Sequence, residues 1–409
     1  MVYINININI NINKNINIII NINMNIKLYF DGIPPSYICD YLLYENTSFE
    51  ECDYVLSCKF NWGNTDFTTI QNNLNSYISI NKYVIIFMIS DTTDKFDIPS
   101  NVFLFRTSLY KTQISINEYI LPYVWEGIYK KYFALNKTEK PIIGFCGQVD
   151  KYRHDIIEKF RKSNNIECNF IIRNNFWGGS PHNDNLKNDF INNILSSHFT
   201  ICNRGNGNFS MRFYQVLSCG RIPALVDTDM EFPFENEINW RDIIIIGRDE
   251  NDVLDKIFDM YNNKDIVSIQ NKCRKIYNKY FLNKNYFQKI FNYIVNIANI
   301  TNKDKDLFYN NNEKDNDVLD TLDTLDTLDT FDTSDTFDTN IYKKYNDLKN
   351  LNNIELVNHY LNFGNHENRI YKLPNDFDID RYSKYDDLLH FSKEELITHY
   401  INHGIYENR

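Results

Sequence analysis

The chain has 409 residues, 43% of them hydrophobic and 15% aromatic, with a formal net charge of -11. That length supports two or three domains with substantial cores, and the apolar content excludes general disorder. An acidic balance also argues against a nucleic-acid backbone as the main partner, because phosphate chains are gripped by basic surfaces. Residues 1–26 alternate almost purely between Ile and Asn, a low-complexity run to which no function is assigned. No apolar stretch is long enough to span a bilayer, and no basic segment precedes an apolar one at the start. The expectation is a cytoplasmic protein without a membrane span. The eight cysteines form no CxxC pair and several sit inside apolar runs, the pattern of buried reduced thiols.

From Ile26 the pattern becomes globular. Apolar runs at IKLYF, CDYVLSC (Cys52 to Cys58), YVIIFMIS (Tyr83 to Ser90) and VFLFRT (Val102 to Thr107) predict strands, with a helical patch from Asn64 to Ile80 between two of them. A polar break at Leu135 to Lys140 precedes a second series. There, strands are predicted at Ile142 to Cys146 and Ile166 to Ile172, helices at His154 to Lys162 and Leu186 to Leu195. Strands alternating with helices imply parallel βαβ units with right-handed crossovers. The division expected is an N-terminal domain over 27–138 and a C-terminal domain over 139–300.

The most informative stretch is Ser197 to Phe234, SHFTICNRGNGNFSMRFYQVLSCGRIPALVDTDMEFPF. It predicts a strand at Phe199 to Cys202, a glycine turn after Arg204, a helix from Ser210 to Cys219 and a strand at Ile222 to Val226. Strand, glycine turn and helix N-terminus form a phosphate receptor, because unpaired N–H groups and the helix dipole favour negative charge. Gly205 and Gly207 allow close backbone approach. Ser210 is the candidate N-cap, and Arg204 and Arg212 flank the pole with bidentate potential.

RGNGNFSMRFYQVLSCGRIPALVDTD, with IGFCGQ before it and FPFENEINW after it, resembles the nucleotide-sugar half of exostosin-like glycosyltransferases. The likeness covers residues 141–248 and extends more faintly back to about residue 27. It implies an α/β fold of two Rossmann-like domains (the GT-B arrangement) facing a cleft, with a nucleotide-diphosphate sugar as donor. The expected reaction moves the sugar to a glycan or glycoprotein acceptor with inversion, and with neither metal nor cofactor. Donor contacts implied are Arg204, Gly205, Gly207, Ser210, Arg212, Gln215, Arg173 and Gly147. The family's ribose-binding Glu is replaced here by Gln215, which keeps hydrogen bonding but loses the charge. Arg173 and Phe176-Trp177-Gly178-Gly179 resemble a second cleft segment.

Inversion requires a general base from the acceptor half. Asp31, Asp91, Asp94 and Glu126 are candidates, and the sequence does not choose among them. Arg106, Ser108 and Lys111 either touch a phosphate or fix a loop. Asp227-Thr228-Asp229 looks like a DxD metal signature but directly follows a buried strand, so a metal role is not expected. The alternative to an enzyme is a catalytically inactive protein binding sugar nucleotides or glycans. An oxidoreductase fits poorly, since a dinucleotide site wants its glycine fingerprint at the first strand.

Residues 301–340, with DTLDTLDTLDTFDTSDTFDT at Asp320 to Thr339, read as an acidic disordered linker. The tail, 341–409, repeats itself: YNDLKNLNNIELVNHYLNFGNHENR and YDDLLHFSKEELITHYINHGIYENR lie forty positions apart. The spacing predicts a small all-α module of two helical repeats. These resemble units appended to glycosyltransferases of giant DNA viruses and to some bacterial surface proteins, which implies an interaction or spacer module and, for a viral source, a host-cytoplasm or virion location. A protein partner for the repeats is a further expectation, and His359 and His399 are read as structural.

Overall fold

A computed structural model describes residues 26–33, 44–60, 66–123, 131–175, 183–235 and 237–282, and most of 336–407, with a few further positions between 128 and 294. The Ile/Asn run before Ile26, Cys39, Glu126, the Phe176–Gly179 segment and most of the acidic linker lie outside the described residues.

The N-terminal half is built from β1 (Ile26–Asp31), β2 (Tyr44–Asn46), β3 (Tyr54–Ser57), α1 (Phe67–Asn75), β4 (Tyr83–Met88), β5 (Val102–Arg106) and β6 (Glu118–Ile120). All strand pairs are parallel, in the order β2-β1-β3-β4-β5-β6. Central strands read as unbroken apolar runs because both faces are covered. Val84, Ile86, Val102 and Leu104 pack under Ile70 and Leu74 of α1, whereas Ile85, Phe103 and Phe105 face the opposite core.

A short strand β7 (Ala134–Leu135) precedes the C-terminal half. That half comprises β8 (Ile142–Gln148), α2 (His154–Arg161), β9 (Glu167–Arg173), α3 (Asp184–Leu195), β10 (Phe199–Ile201), α4 (Met211–Ser218), β11 (Ile222–Val226), β12 (Ile245–Gly247), α5 (Glu250–Asn263) and α6 (Ile266–Ile276). Its sheet is parallel in the order β12-β11-β10-β8-β9. One apolar cluster runs from Leu28 and Phe105 through Phe145, Phe199 and Phe213 to Trp240 and Phe281, so the halves share a core. The fold is therefore the expected pair of parallel-sheet α/β domains followed by a helical C-terminal part.

The loops leaving β4, β5, β8 and β10 converge on the seam between the halves. In open parallel sheets that edge, beyond the carboxyl ends of the strands, is where ligands bind.

The tail departs from expectation in where its order begins. Thr336–Phe337 (β13) lies inside the span read as linker, yet it pairs in parallel with β7. Phe337 is fully buried, its ring 5.5 Å from that of Phe133 and stacked on Tyr371 at 5.3 Å. One apolar side chain in the last acidic triplets found a partner on the other domain, which composition alone does not reveal. Beyond it come α7 (Thr339–Tyr342), α8 (Asn353–His359), α9 (Ile379–Tyr382) and α10 (Lys393–His399).

The two repeats are built alike. Asp338 and Asp378 cap α7 and α9, and capping boxes at Asn352/Glu355 and Ser392/Glu395 start α8 and α10. Tyr342 and Tyr382 meet His359 and His399 Nδ1 at 3.0 and 2.9 Å, so both histidines serve as hydrogen-bond partners inside their repeats. Among the described residues no helix is long and apolar enough to cross a membrane, and the seven described cysteines are free thiols.

Candidate active site at the seam between the halves

The glycine turn between β10 and α4 does not stand open. A methyl group at Gly207 would lie 2.8 Å from Asp91 Oδ1 and 3.2 Å from Ser108 Oγ, both from the N-terminal half. Gly207 therefore serves the close approach of the two halves. The next residue, Asn208, is completely buried: its amide donates to Ser108 Oγ at 2.6 Å, and its side chain donates to the carbonyls of Leu109 and Thr228.

Arg204 is committed to this framework. It donates to the Tyr110 hydroxyl, Asn208 Oδ1, and the carbonyls of Asn206 and Gly205, so four of its five N–H donors are used internally. The guanidinium also lies 4.5 Å from the Tyr152 ring centre. Arg204 thus shapes the turn through bonds to its own loop and to Tyr110. Ser210 makes no side-chain cap bond on α4.

Arg212 faces the other way, back under the end of β8. It is 9% exposed and donates to the carbonyls of Ile201 and Cys146, while its Nε has no partner. Among the described residues no carboxylate forms an ion pair with it. Burial, and then the neighbouring Arg153, push its guanidinium down to about 10. Gly147 makes the room: its φ is +154°, and a methyl there would sit 2.6 Å from Arg212 Nη2.

Arg153 is the site residue that sequence reading missed. It precedes α2 without capping it, its side chain is only 15% exposed, and its Nη2 lies 2.9 Å from where a Gly205 methyl would be. Asp150 pairs with it at 3.3 Å, and its Nε is also unpartnered. Burial lowers its basicity, against the pull of Asp150. The available signal was positional, since Arg153 closes the first βα loop of its half. Arg173, at the end of β9, instead has its own carboxylate, Asp189, at 2.8 Å.

Arg153, part-buried, and Arg212, buried, are neighbours; Asp150 pairs with Arg153, and Asp91 acts on it from the other half. A desolvated cation is costly unless paired, so the arrangement favours an incoming anion. The turn backbone contributes as well: the amides of Gly205, Asn206 and Gly207 donate to no described backbone carbonyl.

On the opposite side, Asp91 is exposed and accepts from the Tyr123 hydroxyl at 3.4 Å. Burial, reinforced by Asp91, pushes the Tyr123 phenol up to about 12, so it stays a donor. Asp31 is engaged within its own half by Lys59 at 2.7 Å and the Tyr77 hydroxyl at 2.6 Å. Of the described general-base candidates, Asp91 is the one brought to the turn. Asp94 is tied to Thr92.

The loop residues resolve into a latch. Arg106 is buried against Glu118 at 2.9 Å. Lys111 pairs with Glu231 and Glu235, and Asp229, at φ +59°, accepts from Lys111 and Thr112. The DxD-like triplet is thus part of the contact between halves. Gln215 is buried on α4, 5% exposed.

Residues 88–258 match the exostosin GT47 domain, a glycosyltransferase family. The matched segment runs from the end of β4 into α5 and takes in Asp91, Ser108, Arg153, Arg204 and Arg212. The crystal structure of TarM is similar at 10% sequence identity and a TM-score of 0.35, over 58% of this chain and 54% of that one. The chain spans about half the length of TarM, and a likeness so loose carries no argument about function. No curated protein matches the chain.

Proposed function

We propose that the chain is a glycosyltransferase that moves a sugar from a nucleoside-diphosphate sugar to a hydroxyl of a glycan or glycoprotein. The observation carrying this reading is part-buried Arg153 beside buried Arg212 at the glycine turn, with the Asp91 carboxylate of the other half near Arg153. The matched glycosyltransferase family supports it.

In this reading the donor diphosphate rests against Arg153 and Arg212, whose positive charge it meets. Asp91 accepts the proton of the acceptor hydroxyl as its oxygen attacks the anomeric carbon. The bond from that carbon to the diphosphate oxygen breaks on the opposite side, so the configuration inverts. The electron pair leaves on the diphosphate, where two guanidiniums supply the counter-charge that a metal supplies elsewhere. Tyr123, held protonated, orients Asp91. Neither a metal nor a cofactor takes part.

The second reading, binding without transfer, is favoured by Gln215 standing where the resembled family has Glu. The two separate in one experiment: release of nucleoside diphosphate from a panel of sugar nucleotides, with intact chain and Asp91→Asn. Release by the intact chain and loss in the variant, with donor binding kept, supports transfer. Binding without release by the intact chain supports the second reading.

A further inference from the structure

We infer that the distal face of the second tail repeat is a docking surface for a further repeat of the same kind. The evidence is the contact that the first repeat already makes, moved on by one forty-residue step.

Repeat one presents Tyr345, Leu348 and Leu351, and Ile397 and Ile401 of repeat two close over that apolar face. Around it, Asn402 Nδ2 donates to the Lys344 carbonyl at 2.8 Å, and the Asn346 amide donates to Asn402 Oδ1 at 3.1 Å. Lys344 pairs with Glu394. The contact therefore consists of an apolar patch, an amide clasp and one ion pair. Tyr345 and Leu348 end up 5% and 2% exposed.

Forty positions later the receiving half of this contact recurs, and among the described residues it stays more exposed. Tyr385 and Phe391, equivalent to Tyr345 and Leu351, are 41% and 40% exposed, although Leu388 beneath them is buried. Leu389, at the place of exposed Lys349, is 61% exposed and enlarges the patch. Lys384, equivalent to Lys344, has no ion pair among the described residues, and the Asp386 amide donates to no described backbone carbonyl.

Three large apolar side chains exposed together are costly, and they mark contact surfaces when a cation and backbone groups rim them. The partner chemistry is set by what covers repeat one: a helix bearing Glu, followed by an aliphatic residue and Asn in the positions of Glu394, Ile401 and Asn402. The same aliphatic–Asn step stands at Leu361-Asn362 in the sequence, so the covering element belongs to the repeat type.

The test extends the full chain past Arg409 with a copy of residues 370–409. The added copy should fold, raising the helical circular dichroism signal, and hydrogen exchange should slow about tenfold or more at amides 385–391. Phe391→Asp combined with Lys384→Glu should abolish that protection. An added segment that stays unfolded, or one that folds without protecting 385–391, overturns the inference. So does protection that survives the double substitution. If the unextended chain gains protection at 385–391 with rising concentration, the face is closed by a second copy's identical face, and the inference falls.

Discussion

The hydroxyl oxygen of Ser108, in the N-terminal half, accepts the backbone amide of Asn208, in the C-terminal half, at 2.6 Å. Because Asn208 is fully buried, that amide has no water to fall back on. Ser108→Ala leaves it unsatisfied, at a cost of about 1–3 kcal/mol. The seam between the halves should open more often, and exchange at Asn208 should speed up while that in the β4 and β8 strands stays put. Unchanged exchange at Asn208 would show that Ser108 does not hold the seam.

His198 carries a pH dependence. Its Nδ1 accepts the Ile142 amide at 3.1 Å and its Nε2 faces the Asn136 carbonyl at 2.8 Å, so the folded state needs the neutral ring. Burial pushes it down to about 4. In the unfolded chain the ring titrates near ~6.5. Between these values the unfolded state binds the extra proton, so stability falls as pH drops from about 6.5 and levels off below about 4, a loss of roughly 3 kcal/mol. Urea midpoints measured across that window should fall more steeply for the intact chain than for His198→Asn. Parallel curves would contradict the assignment.

The tail should matter to the stability of the whole chain. Phe337 fills a pocket of Phe133, Tyr342, Tyr360 and Tyr371 rings, and Phe→Ala at such a site costs about 3–5 kcal/mol. Phe337→Ala should release the tail, seen as rapid proteolysis between residues 336 and 371. It should also raise exchange at Leu135, whose amide is held by Gln270 at 2.9 Å. A tail as protease-resistant as before would mean that β13 is not its anchor.

Most of the framework was legible in the sequence, and the reason is physical. Runs such as YVIIFM and IPALV are buried on both faces, so their strands announce themselves without periodicity. The site was legible only in part. Arg204 and Arg212 look alike beside a glycine turn, but one is consumed by the turn's own carbonyls and the other faces β8. That difference depends on which way each side chain leaves the backbone. Arg153 was illegible because GQVDKYRH has no pattern of its own; its partners, Asp150 and the space beside Gly205, arise from the fold. Thr336–Phe337 hid in an acidic repeat because its partner strand lies some two hundred residues earlier.

Gly147 is the space through which Arg212 reaches the end of β8. Gly147→Ala brings a methyl group 2.6 Å from Nη2 at a backbone angle that L residues rarely adopt. The side chain of Arg212 must shift, and strain of about 1–3 kcal/mol follows. The variant should melt earlier and bind nucleoside diphosphate more weakly. Unaltered melting and binding together would show that Arg212 does not depend on this gap.

The central claim is that Arg153 and Arg212 hold the diphosphate of the donor. Titration calorimetry of a panel of nucleoside diphosphates against the intact chain and Arg153→Ala tests it most directly, with the melting of both recorded because Arg153 also holds the Gln148 carbonyl and Asp150. Affinity for the best ligand should drop by about 1–3 kcal/mol, roughly tenfold to hundredfold. Equal affinity in a normally melting Arg153→Ala variant would contradict the account.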